Sequence, residues 1–536
     1  MIKVCEAMVK CLEQEGIKVV FGYPGAAICP FYDEIYKSNI KSVLVRHEVN
    51  GGHAANGYAR ISGKPAVCIA TSGPGATNLL TSIATAYADS VPIVCITGQV
   101  NSEQIGSDAF QEADITGAAE PFIKHTYLVK DGSQIGRIFK EAFYLAGSGR
   151  PGPVLIDVPM DVQNALIDFS YPKTVDIRSY KPTQKGNALQ VKRVVKEISD
   201  AKKPLLCVGG GVFLSHAKNE VRELAEIFDL PVITTMMGIS AFESDDQRFF
   251  GMLGMHGSKT ANRAVSECDV LILVGARVGD RAIGNPTAVE KTTRVIHIDI
   301  DPAEIGKNLR ADIPLVGDVK TVLNQILKYA QGLDHTDWIE EIRGFDKKPE
   351  FSKTKDGTVN PKEFLSLLSE HMPECTHVVA DVGQNQIWAA ANYKMHSGRF
   401  LTSGGMGTMG YAVPAAIGAK MADEESEVLA VCGDGSFQMS FMELATAVQH
   451  GVDIKVVVMK NNYLGMVREL QDKGYEGRRA AVSLDGSPDF IKLADSYGIR
   501  GVRVTDKSDM EKAYEALNKP GLCVIECVVD DDESTL

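Results

Sequence analysis

Short apolar segments that run into glycine-bearing turns, each separated from the next by a helical stretch, constrain this chain more than any other feature. Ile17 to Phe21 is apolar and enters Gly22-Tyr-Pro-Gly25; Val43-Leu-Val45 and Ala66-Val-Cys-Ile-Ala70 repeat the form, and Val4, Met8 and Leu12 share one face of a preceding helix. A strand covered by helices on both sides reads as a continuous apolar run rather than an alternating one. The pattern predicts an α/β fold of doubly wound parallel sheets.

At 536 residues the chain has room for several such sheets, given ~150 residues per domain. Apolar periodicity lapses from about 165 to 185. It lapses again from about 344 to 360, around Lys347-Lys-Pro-Glu-Phe-Ser-Lys-Thr-Lys-Asp356. Three domains follow, 1–165, 186–343 and 360–536, each large enough for its own core. The first and last share a weak repeat. Ser72-Gly-Pro-Gly75, Ile83-Ala-Thr-Ala86 and Val91-Pro-Ile-Val94 find counterparts in Cys432-Gly-Asp-Gly435, Leu444-Ala-Thr-Ala447 and Val452-Asp-Ile-Lys455. Two duplicated cofactor-binding halves would look like this, and so would two unrelated βαβ units.

A formal net charge of −13 with no basic block argues against nucleic acid, whose phosphates need clustered Lys and Arg. No apolar run approaches ~18 residues, so no membrane span is expected. The first ten residues carry Lys3, Glu6 and Lys10 where a signal peptide needs apolar sequence. Eleven scattered cysteines, none in a CxxC pair, read as small core hydrophobes in a reducing compartment. The expectation is a soluble cytoplasmic protein.

The chemistry concentrates in the last domain. Val428 to Cys432 is a strand, and Gly433-Asp-Gly-Ser436 turns from its carboxyl end into a helix. A second strand, Ile454 to Met459, ends in Asn461-Asn-Tyr-Leu-Gly465. Ligands of open parallel sheets bind beyond the carboxyl ends of the strands, so Asp434 and Asn461 are expected to converge there. One carboxylate and one amide oxygen make a small oxygen set of the kind Mg²⁺ accepts, with phosphate oxygens completing the octahedron. Gly433 and Gly435 would let backbone N–H groups approach a diphosphate. An Asp-Gly turn or an Asn-rich loop is common by itself; the two at this spacing point to chemistry.

This GDG-to-NN arrangement resembles the thiamin-diphosphate (ThDP) motif of ThDP-dependent enzymes. Over nearly its whole length the chain is similar to the catalytic subunits of the acetolactate synthase (acetohydroxyacid synthase) family. The matching segments include His47-Glu48, Thr71-Ser-Gly-Pro-Gly-Ala-Thr-Asn78, Asp108-Ala-Phe-Gln-Glu-Ala-Asp114 and Ser403-Gly-Gly-Met-Gly-Thr-Met-Gly410. The resemblance implies a pyrimidine-binding, a central FAD-binding-like and a diphosphate-binding domain, in chain order. It implies a carboligase of branched-chain amino-acid biosynthesis that decarboxylates pyruvate and joins the remaining two carbons to a second 2-oxo acid, giving 2-acetolactate.

By the same resemblance, Glu48 is the acid that hydrogen-bonds N1′ of the aminopyrimidine, favouring the imino tautomer that removes the thiazolium C2 proton. Met409 is the apolar wedge that bends the cofactor, Phe110 and Gln111 flank the reacting centre, and Arg281 takes the carboxylate of the second keto acid. Pro24, Thr71, Pro74, Asn78, Gly383, Gln384, Asn385, Gly407, Gly433, Gly435, Ser436, Leu464, Gly465 and Met466 match ThDP-contacting positions. Asp434, Asn461 and Tyr463 match the Mg²⁺ ligands. Asn385 stands where the family usually has His, and its amide is expected to donate in the same place. FAD is implied at Arg150, Gly209, Gly210, Gly211, Thr235, Leu253, Gly254, Met255, His256, Gly275, Arg277, Asp299, Gly317 and Asp318, with no redox part in the reaction.

Met160 stands where the family usually has Lys, and Leu470 where it usually has a Trp associated with 2-oxobutanoate as acceptor. Choice between pyruvate and 2-oxobutanoate is therefore open, as is another ThDP-dependent carboligase, decarboxylase or acetyltransferase on the same scaffold. The family places ThDP between two subunits, which implies a homodimer or homotetramer, and it admits a small regulatory subunit.

Overall fold

The computed structural model describes residues 1–345, 351 and 354–535. Residues 346–350, 352 and 353, within the second expected linker, and Leu536 lie outside the described residues.

Eighteen strands form three six-stranded sheets, parallel throughout. The first contains β1 (Val19–Gly22), β2 (Lys41–Leu44), β3 (Ala66–Ala70), β4 (Ile93–Gln99), β5 (His125–Leu128) and β6 (Val154–Pro159), in the order β2-β1-β3-β4-β6-β5. The second contains β7 (Pro204–Val208), β8 (Val232–Thr234), β9 (Phe249–Met252), β10 (Val270–Val274), β11 (Arg294–Asp299) and β12 (Ile313–Val316), in the order β9-β8-β7-β10-β11-β12. The third contains β13 (His377–Ala380), β14 (Phe400–Thr402), β15 (Val428–Gly433), β16 (Lys455–Lys460), β17 (Arg500–Val504) and β18 (Cys523–Val528), in the order β14-β13-β15-β16-β18-β17. The first and third orders are the same permutation, so the weak repeat in sequence corresponds to two copies of one topology. The central order is that of a doubly wound dinucleotide-binding sheet.

Ile17 was expected to open the first strand, but its N–H closes the preceding helix on Leu12 O at 3.0 Å, and β1 begins at Val19. Residues 168–187 carry no helix or strand. All eleven cysteines are free, and nine of them are buried. No helix among the described residues is long and apolar enough to cross a membrane.

Six helices place the residues of interest: α1 (Glu48–Ser62), α2 (Leu80–Ala88), α3 (Gln384–Asn392), α4 (Ala412–Ala422), α5 (Asp434–Phe437) and α6 (Gly465–Gly474). α1 follows β2 and α4 follows β14, so they are counterparts in the two related domains, and they pack on each other. Small residues allow it. A Cβ on Gly57 would overlap the Ala415 carbonyl, and one on Gly418 would overlap the Ala54 carbonyl. α4 is apolar nearly all round, as a helix enclosed between two domains must be.

Candidate active site

Glu48 opens α1, and its Oε2 accepts from Asn78 Nδ2 at 2.9 Å. A Cβ on Gly75 would lie 3.3 Å from Glu48 Oε1, so the turn after β3 passes close over the carboxylate. Thr71 follows that strand with a buried, unpartnered Oγ1, and Gly25, beside Pro24, backs onto its side chain. Pro74 begins the short helix that ends at Asn78. Gln111 has φ +60° and lies against Gly73, whose Cβ position is 2.9 Å from Gln111 Cα. Phe110, one residue earlier, is 88% exposed. Glu48, Thr71, Asn78 and Gln111 thus form one half-site, with Phe110 projecting from it.

The third domain holds that half-site in place. Buried Glu443 accepts from Arg46 N and Asn50 Nδ2, both at 2.9 Å, which fixes the turn carrying Glu48. The buried Arg60–Asp89 pair (2.7 Å) works in the opposite direction. Asp89 accepts from Gly404 N and Gly405 N, and Arg60 donates to Thr402 O, anchoring the loop that carries Gly407 and Met409.

The second half-site lies at the carboxyl ends of β13, β15 and β16. Asp434 is buried; Oδ1 accepts from Gly435 N at 2.9 Å and Oδ2 from Asn462 N at 2.6 Å. Among the described residues it makes no ion pair. Burial raises its pKa to about 6 against the pull of the Asn462, Gly435 and Asn461 N–H groups. A buried carboxylate supported only by backbone donors, beside an amide oxygen, fits a divalent cation. Asn461 Oδ1 accepts from Tyr463 N at 3.0 Å, and its Nδ2 donates to Gln384 Oε1 at 3.1 Å. Ser436 closes its turn back onto Gly433. A Cβ on Gly435 would lie 2.8 Å from Leu464 and 3.7 Å from Met409 Cε, so those two side chains converge over the Gly-Asp-Gly turn. Gly465 and Met466 form the first turn of α6. A Cβ on Gly465 would overlap Gln384 Oε1, which is why glycine stands there.

Asn385 departs from expectation. Both of its N–H bonds go to main-chain carbonyls, Asp381 O at 2.7 Å and Val431 O at 3.0 Å. The side chain ties α3 to the sheet and has no donor left for a diphosphate. Asp381, which the sequence shows only as the end of an apolar strand, is fully buried. It accepts from Val382 N, Gly410 N and Ala412 N at 2.8–2.9 Å, so it holds the turn that follows Met409. Burial lifts its pKa to about 6, opposed by those N–H groups. A carboxylate just before the glycine of Asp381-Val-Gly383 was the available signal.

The residues expected to hold FAD divide. Thr235, Leu253 and Arg277 line one small cavity at the carboxyl edge of β7, β8 and β10. The Leu253–His256 turn follows β9, and there His256 Nδ1 is buried without a partner, as is Thr234 Oγ1 nearby. Orphaned polar atoms of this kind fit a polar ligand. Asp299 ends β11 buried, its pKa raised to about 6 by that burial. Other positions are already occupied. Gly209 and Gly211 are filled by the backbone of Gly275 and Ala276. Asp318 caps a helix at Thr321 N, and the adjacent Gly317 backs onto Val322. Arg150 is spent on Asp301 (3.1 Å) and Glu304 (2.8 Å). Of the expected set, the 253–256 turn keeps an unpartnered polar atom, whereas the Arg150 guanidinium is paired. Arg281 is exposed, with Nη1 3.3 Å from Met255 Sδ. His256 is depressed by burial first, with Glu469 opposing and Arg281 and Lys473 reinforcing, which places the central domain's turn beside α6.

Among the described residues, no hydrogen bond or ion pair links the Glu48 set to the Asp434 set. Glu48 and Asp434 stand in different domains, at the strand ends of two different sheets.

Family models meet this architecture domain by domain. Residues 2–118 match the N-terminal TPP binding domain of thiamine pyrophosphate enzymes, 191–326 their central domain and 381–527 their C-terminal TPP binding domain. The fold and site are those of a thiamine-diphosphate-dependent enzyme. A protein of Methanocaldococcus jannaschii described as a probable acetolactate synthase large subunit is 45% identical, over 99% of this chain and 93% of its own length. The acetolactate synthase large subunits of Cyanidium caldarium and Haemophilus influenzae are 44% and 42% identical, over 98% of this chain and 93% and 94% of theirs. The chain belongs to the acetolactate synthase large-subunit family.

Proposed function

We propose that the chain is the catalytic subunit of an acetolactate synthase. It takes two molecules of 2-oxo acid, the first of them pyruvate, releases CO₂ from the pyruvate and forms the carbon–carbon bond of 2-acetolactate. The observation that carries this reading is the buried Asp434, supported by backbone N–H groups alone and adjoining Asn461, with Met409 and Leu464 closing over it.

ThDP, when bound, supplies the carbon nucleophile and the electron sink for decarboxylation. The chain's own residues bind and orient. Asp434, the Asn461 amide and the Tyr463 backbone would hold Mg²⁺ on the diphosphate. In the 433–436 turn the Gly433 N–H is taken by Ser436 Oγ and the Gly435 N–H by Asp434 Oδ1, so the diphosphate would be held chiefly through the cation. Glu48, steadied by Asn78, would share a proton at its carboxylate with the aminopyrimidine ring. Met409 and Leu464 keep water from the reacting carbon. Gln111 and Phe110 border the keto acid, and the exposed guanidinium of Arg281, paired only loosely with Asp280 at 3.7 Å, would take its carboxylate through both oxygens. FAD is proposed at the Leu253–His256 turn, outside the bond-forming chemistry.

Glu48 and Asp434 stand in two domains of one strand order, a duplication that supports a homodimer or a larger homo-oligomer as the working unit, with Glu48 of one subunit facing Asp434 of another. The relatives' description as large subunits supports a small regulatory partner. Free, mostly buried thiols suit the cytoplasm.

Purified protein supplied with pyruvate, ThDP and Mg²⁺ is expected to form 2-acetolactate, and competition between pyruvate and 2-oxobutanoate gives its acceptor preference. Acetaldehyde or acetyl phosphate as the product would overturn the assignment. Flavin absorption bands in the purified protein test FAD.

A further inference from the structure

The loop that leaves β4 and carries Phe110 and Gln111 is tied across its middle by one side chain. It runs outward from Asn101 to Ser107 and returns from Ala109 to Asp114. Glu112, on the returning arm, folds back: its Oε1 accepts from Gly106 N on the outgoing arm, and its Oε2 from Ala109 N at 3.2 Å. The Gly106 N–H holds the carboxyl below the usual carboxylate range, against burial, and the N–H groups of Ala109, Ser107 and Asp108 add to the effect. Successive main-chain N–H groups of this kind make a concave anion site. Here the chain fills that site with its own acid.

The other hydrogen bonds of the loop anchor its ends or stay within one arm. Ser102 N and Oγ donate to Asp161 Oδ1 at 2.9 and 3.1 Å, and Gln99 Nε2 donates to Ala113 O at 2.8 Å, so both ends are fixed. Gln104 N and Ser107 N close turns within the outgoing arm, and Glu112 N closes one on Ala109 O at 2.9 Å within the returning arm. Among the described residues, only the Glu112 carboxylate joins the two arms by hydrogen bonds. The conformation it spans is one the sequence does not favour. Gln111 is the third residue of the Ala109–Glu112 turn, with φ +60°, where glycine is usual. Asp108, between the arms, has φ +56°. Non-glycine residues keep such values only where their surroundings impose them. Phe110 is 88% exposed and packs into no core that would fix the turn.

We propose that Glu112 is a positioning residue for the keto-acid pocket: its carboxylate ties the two arms of the 101–114 loop together and so keeps Phe110 and Gln111 where they border the substrate. The inference rests on the reading that those two residues border the keto acid. It goes further in naming the residue that sets their geometry from within the loop. A glutamine at 112 would turn an NH₂ toward main-chain N–H groups, and a leucine would offer them no acceptor at all. Either change unties the arms.

The test is steady-state formation of 2-acetolactate by the holoenzyme at saturating ThDP and Mg²⁺. Glu112→Gln and Glu112→Leu are expected to raise the KM for pyruvate about tenfold while kcat falls less than about threefold, the split expected when substrate binding is lost. The direction is diagnostic. Removing a negative charge near an anionic substrate would by itself lower KM; untying the loop raises it. Glu103, exposed on the outgoing arm, makes no side-chain hydrogen bond or ion pair among the described residues. Glu103→Gln removes the same charge and is expected to leave KM within about twofold, as a screened surface charge should. ThDP half-saturation and the melting temperature are expected to stay at the parent's values. A KM within about twofold of the parent's, or below it, in either Glu112 variant overturns the proposal. So does a parallel loss of KM, ThDP affinity and melting temperature, which marks general unfolding. Phe110→Ala and Gln111→Ala are measured alongside. If they raise KM and the Glu112 variants do not, only the positioning role falls. If they change neither constant, the reading that places them at the keto acid falls, and the role of Glu112 with it.

Discussion

Asp157 shows how much a single buried carboxyl can report. It accepts from Thr97 Oγ1 at 2.7 Å and Gln99 Nε2 at 2.9 Å, and Gln99 also donates to Ala113 O, at the end of the loop that carries Phe110 and Gln111. Burial raises its pKa from 3.8 to about 7, outweighing the Thr97 and Gln99 hydrogen bonds, with Asp114 adding to the rise. The folded state therefore binds this proton more tightly than the unfolded chain. The stability it contributes is complete below the unfolded pKa of 3.8 and is lost as pH rises through about 7. Asp157→Asn should relieve that loss, on the order of 2–4 kcal/mol at pH 8. The Thr97 hydroxyl can turn to accept from the new amide while Gln99 keeps its acceptor. Urea midpoints of cofactor-free protein should favour the variant at pH 8, with the advantage shrinking toward pH 5; a difference independent of pH would remove Asp157 as the source. At this scale the sequence was uneven. Asp434 and Asn461 were legible because their spacing places both at adjacent strand ends. Asp157 and Asp381 were not, since nothing along the chain shows that a carboxylate in an ordinary-looking segment is buried, or what it meets there.

At the scale of elements, the pairing of α1 with α4 is the contact on which the arrangement of the two related domains depends. Both helices are rich in Gly and Ala, and each approaches the other's backbone through a glycine. Gly418→Val would drive two methyls into the Ala54 carbonyl and should cost about 3 kcal/mol or more. It should also displace Met409, which lies one turn before α4. Gly474→Ala, at the open end of α6 with no atom within 4 Å of its Cβ position, should be neutral or stabilising by about 0.5–1 kcal/mol. Thermal melts of the two variants check the contrast, and equal melting temperatures would contradict the packing argument. Strands were the most readable elements, with β3 and β15 found at or within one residue of the expected bounds. The partners of α1 were not readable, because small residues permit a close approach without naming what approaches.

For the whole molecule, the separation of the half-sites makes a prediction about mixing. Glu48→Gln and Asp434→Asn should each be inactive alone. If active sites form between chains, dissociation and reassembly of an equal mixture yields hybrid dimers with one site wholly intact and one doubly defective. Random pairing then restores about a quarter of the parent activity. If each chain completes its own site, mixing restores nothing. The first and third sheets share one strand order, so each of two copies of one topology carries its own part of the site.

The sequence by itself determined the layered α/β architecture, the three-part division and the identity of the Gly-Asp-Gly and Asn-Asn turns. These follow from local periodicity and from glycines that only tight turns require. Tertiary structure decided which donors and acceptors were already spent. Asn385 turned inward to the sheet, Arg150 was neutralised by Asp301 and Glu304, and the Asn461 amide was tied between Tyr463 N and Gln384 Oε1. Hydrogen-bond capacity is a property of neighbours in space, and residues 384 and 461 become neighbours only once the third sheet has formed.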